Sequence, residues 1–183
     1  ILNYSSDILG SFSQVIRAVF QNKSVQSKYF ESILYGQIFP GTKVLGTPKF
    51  SDLTELNKPV SFDVRVLLPG FARSNAKDQL SFAANAYPKS NVLLLLGNRA
   101  GSFSEAFAPL QKRKTDLILP APWGLETRTE VKIPKGFKWS RVPENLELNS
   151  NYFSVTIQYK KLNERTYEVI KTIEQKINRI PKE

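Results

Sequence analysis

Alternation of apolar and polar residues is the dominant pattern along this chain. It is cleanest at residues 60–68, where every second residue from Val60 to Leu68 is apolar. A period of two also runs through residues 9–20 and 151–161. Successive side chains of a strand point to opposite faces of a sheet. Each of the three segments is therefore predicted to be a strand, and the one at residues 9–20 a long strand.

One segment has a helical period instead. Apolar residues recur at spacings of three and four from Val25 to Leu34. Asn22 or Ser24 can cap the start of a helix, and Pro40 and Gly41 follow its end. The pattern predicts a helix at about residues 23–38, packed on a sheet.

The stretch from Tyr167 to Pro181 fits two periods. Its isoleucines lie at helical spacing, but Tyr167, Val169, Ile173 and Ile177 lie at strand spacing. The stretch follows another predicted strand after a link of about three residues, which is a common hairpin length. It is also rich in β-branched and aromatic residues, which favour a strand. We therefore expect a strand here.

Shorter candidate strands separated by proline and glycine fill most of the remaining sequence. They include residues 79–86, 91–96, 116–120, 126–134 and 146–149, while residues 101–110 fit either a short helix or an irregular crossing. Recurrent strands with such turns predict an antiparallel, immunoglobulin-like β-sandwich with one packed α-helix. We expect a single module spanning residues 1–183.

The composition limits the chemistry that the chain can perform. Its 183 residues contain no Cys, His or Met. Without Cys there is no thiol catalysis, disulfide or thiolate metal site, and without His the commonest general base and metal ligand are missing. The missing Met suggests a start inside a longer polypeptide. The longest apolar run, at 92–96, is too short to span a membrane.

The formal net charge is +10, with a pI of about 9.8. This charge favours acidic partners such as anionic glycans or nucleic acid. It is dispersed, however, and its one tight cluster is Lys112, Arg113 and Lys114. A dispersed basic surface is more typical of solubility than of a nucleic-acid site, so nucleic acid is the less favoured partner.

Two residue patterns resemble parts of hydrolase sites. Ser74 and Lys77 form a Ser-x-x-Lys match, but it lies in a polar loop without the companion elements of Ser/Lys enzymes. Acidic residues could pair as the acid and base of a glycosidase, and the candidates are Glu126, Glu130, Glu144 and Glu147. Solvated strand faces explain these residues better. No metal or cofactor motif is present, so we expect a non-catalytic chain without a cofactor.

The two tryptophans lie beside turns with basic residues nearby in sequence. Aromatic and arginine side chains at such positions can anchor a partner. The predicted partner-binding residues are Trp123, Trp139, Lys112, Arg113, Lys114 and Arg141. The alternative is that both tryptophans plug the ends of the sandwich.

The run from Lys112 to Pro181 resembles the C-terminal part of a bacterial transglutaminase-like family. The matching features are LILPAP at 117–122, IPKG at 133–136, Val142–Pro143 and a final strand ending in Ile180–Pro181. KPVSFDVRV at 58–66 resembles an earlier segment of that family. The resemblance implies a non-catalytic β-domain of a papain-like protein. Because the family's Cys-His-Asp triad has no counterpart here, no catalytic residue is carried over.

This resemblance implies an exported protein in the periplasm or cell envelope. The function that we expect is an accessory interaction domain that docks a protein or an envelope polymer. The alternative is a stand-alone basic module for acidic polymers.

Overall fold

The computed structural model describes residues 1–36, 38–74, 79–82, 112–119 and 121–182. Twelve strands lie in these ranges: β1 (Leu2–Gly10), β2 (Lys43–Val44), β3 (Lys49–Phe50), β4 (Val60–Leu67), β5 (Arg73–Ser74), β6 (Leu80–Ser81), β7 (Leu117–Ile118), β8 (Trp123–Lys132), β9 (Leu146–Asn149), β10 (Phe153–Asn163), β11 (Thr166–Gln175) and β12 (Arg179–Ile180). The same ranges contain helices α1 (Ser11–Phe20) and α2 (Lys23–Lys28), and a π-helical segment at Tyr29–Leu34. None of the described helices is long and apolar enough to cross a membrane.

Eight of these strands form one antiparallel sheet. Its order is β2-β4-β1-β8-β11-β10-β9, and β3 also pairs with β4. Two further pairs, β5 with β6 and β7 with β12, form separate two-stranded sheets. The described residues therefore make a mainly β, antiparallel fold, as the sequence predicts.

The register gives the large sheet one apolar face and one polar face. Tyr4 lies opposite Val64 on one side and Thr129 on the other, and all three point to the apolar face. Asp7 lies opposite Ser61 and Glu126 on the polar face. The Ser61 hydroxyl donates a 2.5 Å hydrogen bond to Asp7 there. The apolar face is therefore stable only when other elements pack on it, whereas the polar face can be exposed to solvent.

The helices supply that cover over β4, β1 and β8. Phe20 lies at the centre of an aromatic cluster, with ring centroids 5.3 Å from Phe30, 4.8 Å from Phe50 and 6.1 Å from Phe62. The ring centroid of Phe12 lies 5.5 Å from that of Trp123, the first residue of β8. The core thus sits between the helical layer and one half of the sheet.

The predicted strand at residues 9–20 is wrong, because α1 occupies Ser11–Phe20. Phe12, Ile16 and Phe20 are all buried. Their four-residue spacing fits a strand face and a helix stripe equally well, which made the pattern ambiguous. Gly10, at φ 69°, turns the chain out of β1 and over the apolar face. The segment forms a helix because its buried residues then pack as a second layer on the apolar face of the sheet.

The predicted helix at 23–38 is confirmed in part. Asn22 caps α2 by accepting a 3.0 Å hydrogen bond from the Ser24 backbone N–H. The segment then changes to π-helical geometry and ends at Leu34, earlier than predicted. With α1, the chain has two α-helices in the described ranges rather than the one expected.

The strand predictions at 60–68, 146–149, 151–161 and from Tyr167 are confirmed by β4, β9, β10 and β11. Ile173 of β11 packs against the core. The second sheet of a sandwich and an immunoglobulin-like strand order are not seen among the described residues, because helices cover the apolar face instead. The predictions at 83–86, 91–96 and 101–110 lie outside those residues, and the single module stays a prediction.

Candidate interaction surface

Trp123 belongs to the hydrophobic core. Its side chain is 4% exposed. Its indole N–H donates a 2.9 Å hydrogen bond to Gln175 Oε1, on the neighbouring strand β11. Trp123 therefore packs at the end of the sheet, as the alternative explanation proposes, and its partner-binding role stays a prediction.

The basic cluster at 112–114 is tied to the C-terminal segment. Arg113 donates hydrogen bonds to the carbonyl oxygens of Ile180, at 3.3 Å, and Pro181, at 3.0 Å. Asp116 accepts from the Lys182 backbone N–H and the Arg179 side chain, and these bonds lower the pKa of its carboxyl. Arg113 is thus a structural contact, while Lys112 and Lys114 remain exposed.

Trp139 lies at the other end of the sheet. Its ring centroid is 4.9 Å from that of Tyr167 and 5.9 Å from that of Phe82. Tyr167 and Gln175 are eight residues apart on β11, which corresponds to about 26 Å. The predicted binding residues therefore do not form one group: Trp139 lies with exposed Arg141 at the Tyr167 end of β11, whereas Trp123 lies at the Gln175 end.

The apolar face continues past the helical layer onto β11, β10 and β9. On β10 every second residue from Phe153 to Tyr159 is apolar, half-buried and on the same face as Ile173. Leu146 and Leu148 of β9 extend this face and are 40% and 56% exposed. None of these β9 and β10 side chains belongs to the described core cluster, but Phe153 has a further interaction and Val169 of β11 is only 4% exposed. We name this half of the sheet, on its apolar side, the open face.

Lys171 of β11 lies in the middle of the open face. Its cross-strand neighbours are Ile157 and Thr127, and Val169 and Ile173 flank it along the strand. It is half-buried, and burial lowers the pKa of its ammonium. No hydrogen bond or ion pair joins this ammonium to another described residue. An unpaired cation among apolar side chains is costly, and proteins seldom keep one without a partner.

No described strand pairs with the outer edge of this half of the sheet. β9 is the last strand of the large sheet within the described ranges, and all four of its residues are exposed. It pairs with β10 only from Ser154 to Ile157. Beyond that point Lys160 and Lys161 stand on β10, and lysines are typical of edges that resist unwanted strand pairing. The open face is therefore the more suitable docking surface than the edge.

A second surface is basic. The end of the sheet that holds the β10–β11 turn carries six exposed cations: Lys132, Lys135, Lys138, Arg141, Lys160 and Lys161. Arg165 lies at the same turn but donates to the carbonyl oxygen of Ile133, at 3.0 Å. Glu130, Glu164 and Glu168 offset part of this charge. We name the six exposed cations the basic end.

A groove of about 660 Å³ lies between α1 and residues 53–59. Arg17, which is 3% exposed, lies at its floor. Its guanidinium donates to the carbonyl oxygens of Lys58, at 2.6 Å, and Asp52, at 3.2 Å. The buried cation thus holds the adjoining loop in place, which is a structural use.

The candidate catalytic groups are not brought together. Ser74 lies in β5, opposite Leu80, while Lys77 is outside the described residues. Glu126 pairs with Arg128 at 2.6 Å and lies four residues from Glu130 on one strand face, about 13 Å away. Glu144 and Glu147 are exposed. No cluster of three or more metal-ligating side chains occurs in the part of the chain that the structure describes.

These features define a β-rich domain. The family model for a domain of unknown function with a solved structure, DUF3858, matches residues 91–183, just over half of the chain. The chain therefore belongs to the DUF3858 family. The matched region contains all three strands of the open face. No curated protein and no solved structure matches the chain.

The sequence analysis missed the open face. The alternation at 151–161 identified the strand and its apolar side. The alternation could not identify which elements pack on that apolar side, because this depends on where the rest of the chain lies in space. A lysine at 171, among alternating apolar residues, was the one available signal.

Proposed function

We propose that this chain is a non-catalytic interaction domain that docks a protein partner on its open face. The observation that supports this proposal is that the described helices pack over β4, β1 and β8, while Leu146 and Leu148 of β9, on the same side of the sheet, are exposed to solvent. Exposed, contiguous apolar surface is uncommon on soluble proteins unless a partner covers it. Leu146 and Leu148, at 40% and 56% exposed, are the clearest examples.

The wider setting that we propose is a larger exported bacterial protein of the transglutaminase-like class, in the periplasm or cell envelope. The support is the resemblance of residues 112–181 to the C-terminal part of that family. The missing Cys and His support an accessory rather than a catalytic role. Catalysis would then belong to another part of the full protein.

A photo-cross-linking side chain at position 157 tests the docking role in the full-length protein in its native cells. Ile157 points to the open face, whereas its neighbour Gln158 points to the polar face. We expect a discrete cross-linked product from position 157 and none from position 158. Leu148→Lys should reduce that product at least about tenfold, because it places a charge in an apolar contact.

The control is Leu162→Lys, which changes an exposed leucine near the β10–β11 turn and should leave the product unchanged. Equal products from positions 157 and 158, or a product that does not respond to Leu148→Lys, would contradict the docking role. Thermal unfolding of each variant shows whether the fold is intact.

A second candidate function is binding of acidic polymers such as anionic glycans at the basic end. The observation that favours it is the gathering of six exposed cations around one end of the sheet, beside Trp139. Clustered cations bind polyanions by releasing counterions. This function needs neither the open face nor Lys171.

With about four phosphate or sulfate contacts, raising the salt concentration about fourfold should lower affinity for heparin about 100-fold. The double variant Lys138→Glu, Arg141→Glu should weaken binding strongly. Lys112→Glu with Lys114→Glu changes the same number of charges outside the basic end and should have a small effect. Affinity that is independent of salt, or equal losses in both double variants, would exclude this site. Fluorescence anisotropy with labelled heparin measures these affinities.

A further inference from the structure

The groove beside α1 follows the whole length of that helix. Its helical wall contains Gly10, Gln14, Ala18 and Gln21, which recur at spacings of three and four. From Gly10 to Gln21 the helix rises about 16 Å, at about 1.5 Å per residue. An extended peptide covers that length with about five residues, at about 3.3 Å each. The groove therefore has the length of a short extended peptide.

Both walls of this groove are exposed in the folded chain. Gln14 and Gln21 are exposed on the helical wall, and Leu56 is 75% exposed on the loop wall. Leu9, next to Gly10, is 48% exposed. The volume of about 660 Å³ lies within the usual range of ligand sites, about 300–1,000 Å³. A ligand can therefore reach the groove from solvent.

The loop wall, residues 53–59, is held in place by hydrogen bonds. Arg17 ties both ends of the loop through the carbonyl oxygens of Asp52 and Lys58. The hydroxyl and the backbone N–H of Thr54 donate to the Asp52 carboxylate, at 2.7 and 2.8 Å. Because the wall is preformed, little conformational entropy is lost when a ligand binds against it.

The two charged residues that line the groove are both cations, Arg17 and Lys58. The bonds from Arg17 to the loop use two of its five N–H groups, and no ion pair joins it to another described residue. Arg17 is 3% exposed, so its charge attracts an added carboxylate more strongly than it would in water. The described lining contains no Asp or Glu. The groove therefore favours an anionic group.

The remaining lining suits a peptide better than an alkyl chain. Amide and hydroxyl side chains on the two walls can donate to and accept from peptide groups, and they are Gln14, Gln21, Thr54 and Asn57. Leu9, Leu53 and Leu56 can contact apolar side chains of the same peptide. An alkyl chain would displace water from the amides without replacing its hydrogen bonds.

The position of Arg17 indicates where the anionic group lies. It is seven residues from Gly10 and four from Gln21, about 10 and 6 Å along the helix. The anion therefore belongs inside the bound segment and not at its end. This favours an Asp or Glu side chain over a terminal carboxylate.

We propose that this groove binds an extended peptide segment of about five residues with an Asp or Glu near its centre. The carboxylate accepts hydrogen bonds from the Arg17 guanidinium, and the Lys58 ammonium adds to the attraction. The groove shares no residue with the open face, so the inference does not rest on the proposed docking function.

Three labelled pentapeptides, blocked at both ends, test this site with the full-length protein. Their sequence is Leu-Ser-X-Leu-Ser, and X is Glu, Gln or Lys. Fluorescence anisotropy measures the affinity of each. We expect the Glu peptide to bind about tenfold more tightly than the Gln peptide, because hydrogen bonds to a charged group are the stronger ones. The Lys peptide should bind most weakly.

Variants show where the peptide binds. Ala18→Trp fills the groove and should weaken the Glu peptide at least about tenfold, whereas Val25→Trp, on α2 outside the groove, should not. Lys58→Met should lower the Glu-to-Gln ratio about threefold, and Lys138→Met, at the basic end, should leave it unchanged. Arg17→Gln should bring the ratio to about one.

Equal binding of the Glu and Gln peptides, preference for Lys, or no binding at millimolar peptide would overturn the inference. An Ala18→Trp variant that binds as the native protein does would also overturn it. Thermal unfolding shows whether Arg17→Gln keeps its fold. If it does not, an unchanged ratio in Lys58→Met overturns the inference and a lowered ratio supports it. Cross-linking from position 157 tests the docking function independently.

Discussion

Phe20→Ala is expected to lower the free energy of unfolding by about 4 kcal/mol, because it removes the centre of the aromatic cluster. Phe20 is 1% exposed. Its ring lies within 6.1 Å of Tyr29, Phe30, Phe50 and Phe62, measured between centroids. These neighbours come from three separate parts of the chain, so they cannot all move inward to fill the cavity. Denaturation by urea, followed by circular dichroism, measures the loss.

Phe137→Ala is the matched control, since Phe137 is 39% exposed. It should change the free energy of unfolding by less than about 1 kcal/mol. Phe20→Leu keeps most of the apolar volume and should cost less than Phe20→Ala. Similar losses for Phe20→Ala and Phe137→Ala would mean that the aromatic cluster does not stabilise the helical layer as described.

Gly10→Ala is expected to cost about 3 kcal/mol, from backbone strain together with a steric clash. Gly10 has φ 69°, a conformation that side chains disfavour. A Cβ atom at this position would lie 2.4 Å from the carbonyl oxygen of Pro122 and 2.9 Å from Trp123 Cα. Both clashing atoms belong to the backbone at the start of β8, so the clash could be relieved only if β1 and β8 moved apart.

Gly70 gives a close comparison because its φ is also 69° but no atom lies within 4 Å of an added Cβ. Gly70→Ala should therefore cost only the conformational strain, about 1 kcal/mol. The difference between the two variants in urea denaturation measures the clash alone. If both variants lose the same free energy, the close approach of Gly10 to Pro122 contributes nothing to stability.

The sequence predicted strands best where periodicity was unambiguous. Residues 60–68 alternate cleanly, and β4 occupies Val60–Leu67. The stretch from Tyr167 fitted two periods, and its β-branched content and short link to the preceding strand correctly favoured β11. Residues 9–20 also fit both the strand period and the helix period. No predicted strand joined by a short link precedes them to indicate which period applies, and the strand prediction there was wrong.

The sequence predicted the candidate site less well than it predicted the fold. Tryptophans beside turns and a basic run at 112–114 supplied most of the predicted partner-binding residues, but Trp123 is buried against Phe12 and Gln175. Arg113 bonds to the C-terminal backbone. Trp139 and Arg141 lie at the opposite end of the sheet. Proximity across strands depends on their order, and the order β1-β8-β11-β10 cannot be obtained from local patterns.

The sequence by itself determined that this protein is mainly β and that thiol and imidazole chemistry are excluded, because alternation and residue types are properties of each position. It also placed an alternating apolar row at 153–159, with a lysine at 171. Only the tertiary structure decided which apolar rows are covered. The described helices pack over β4, β1 and β8 and not over β9, where Leu146 and Leu148 are exposed, since packing depends on where the chain returns in space. That contrast produced both the proposed docking face and its unpaired cation.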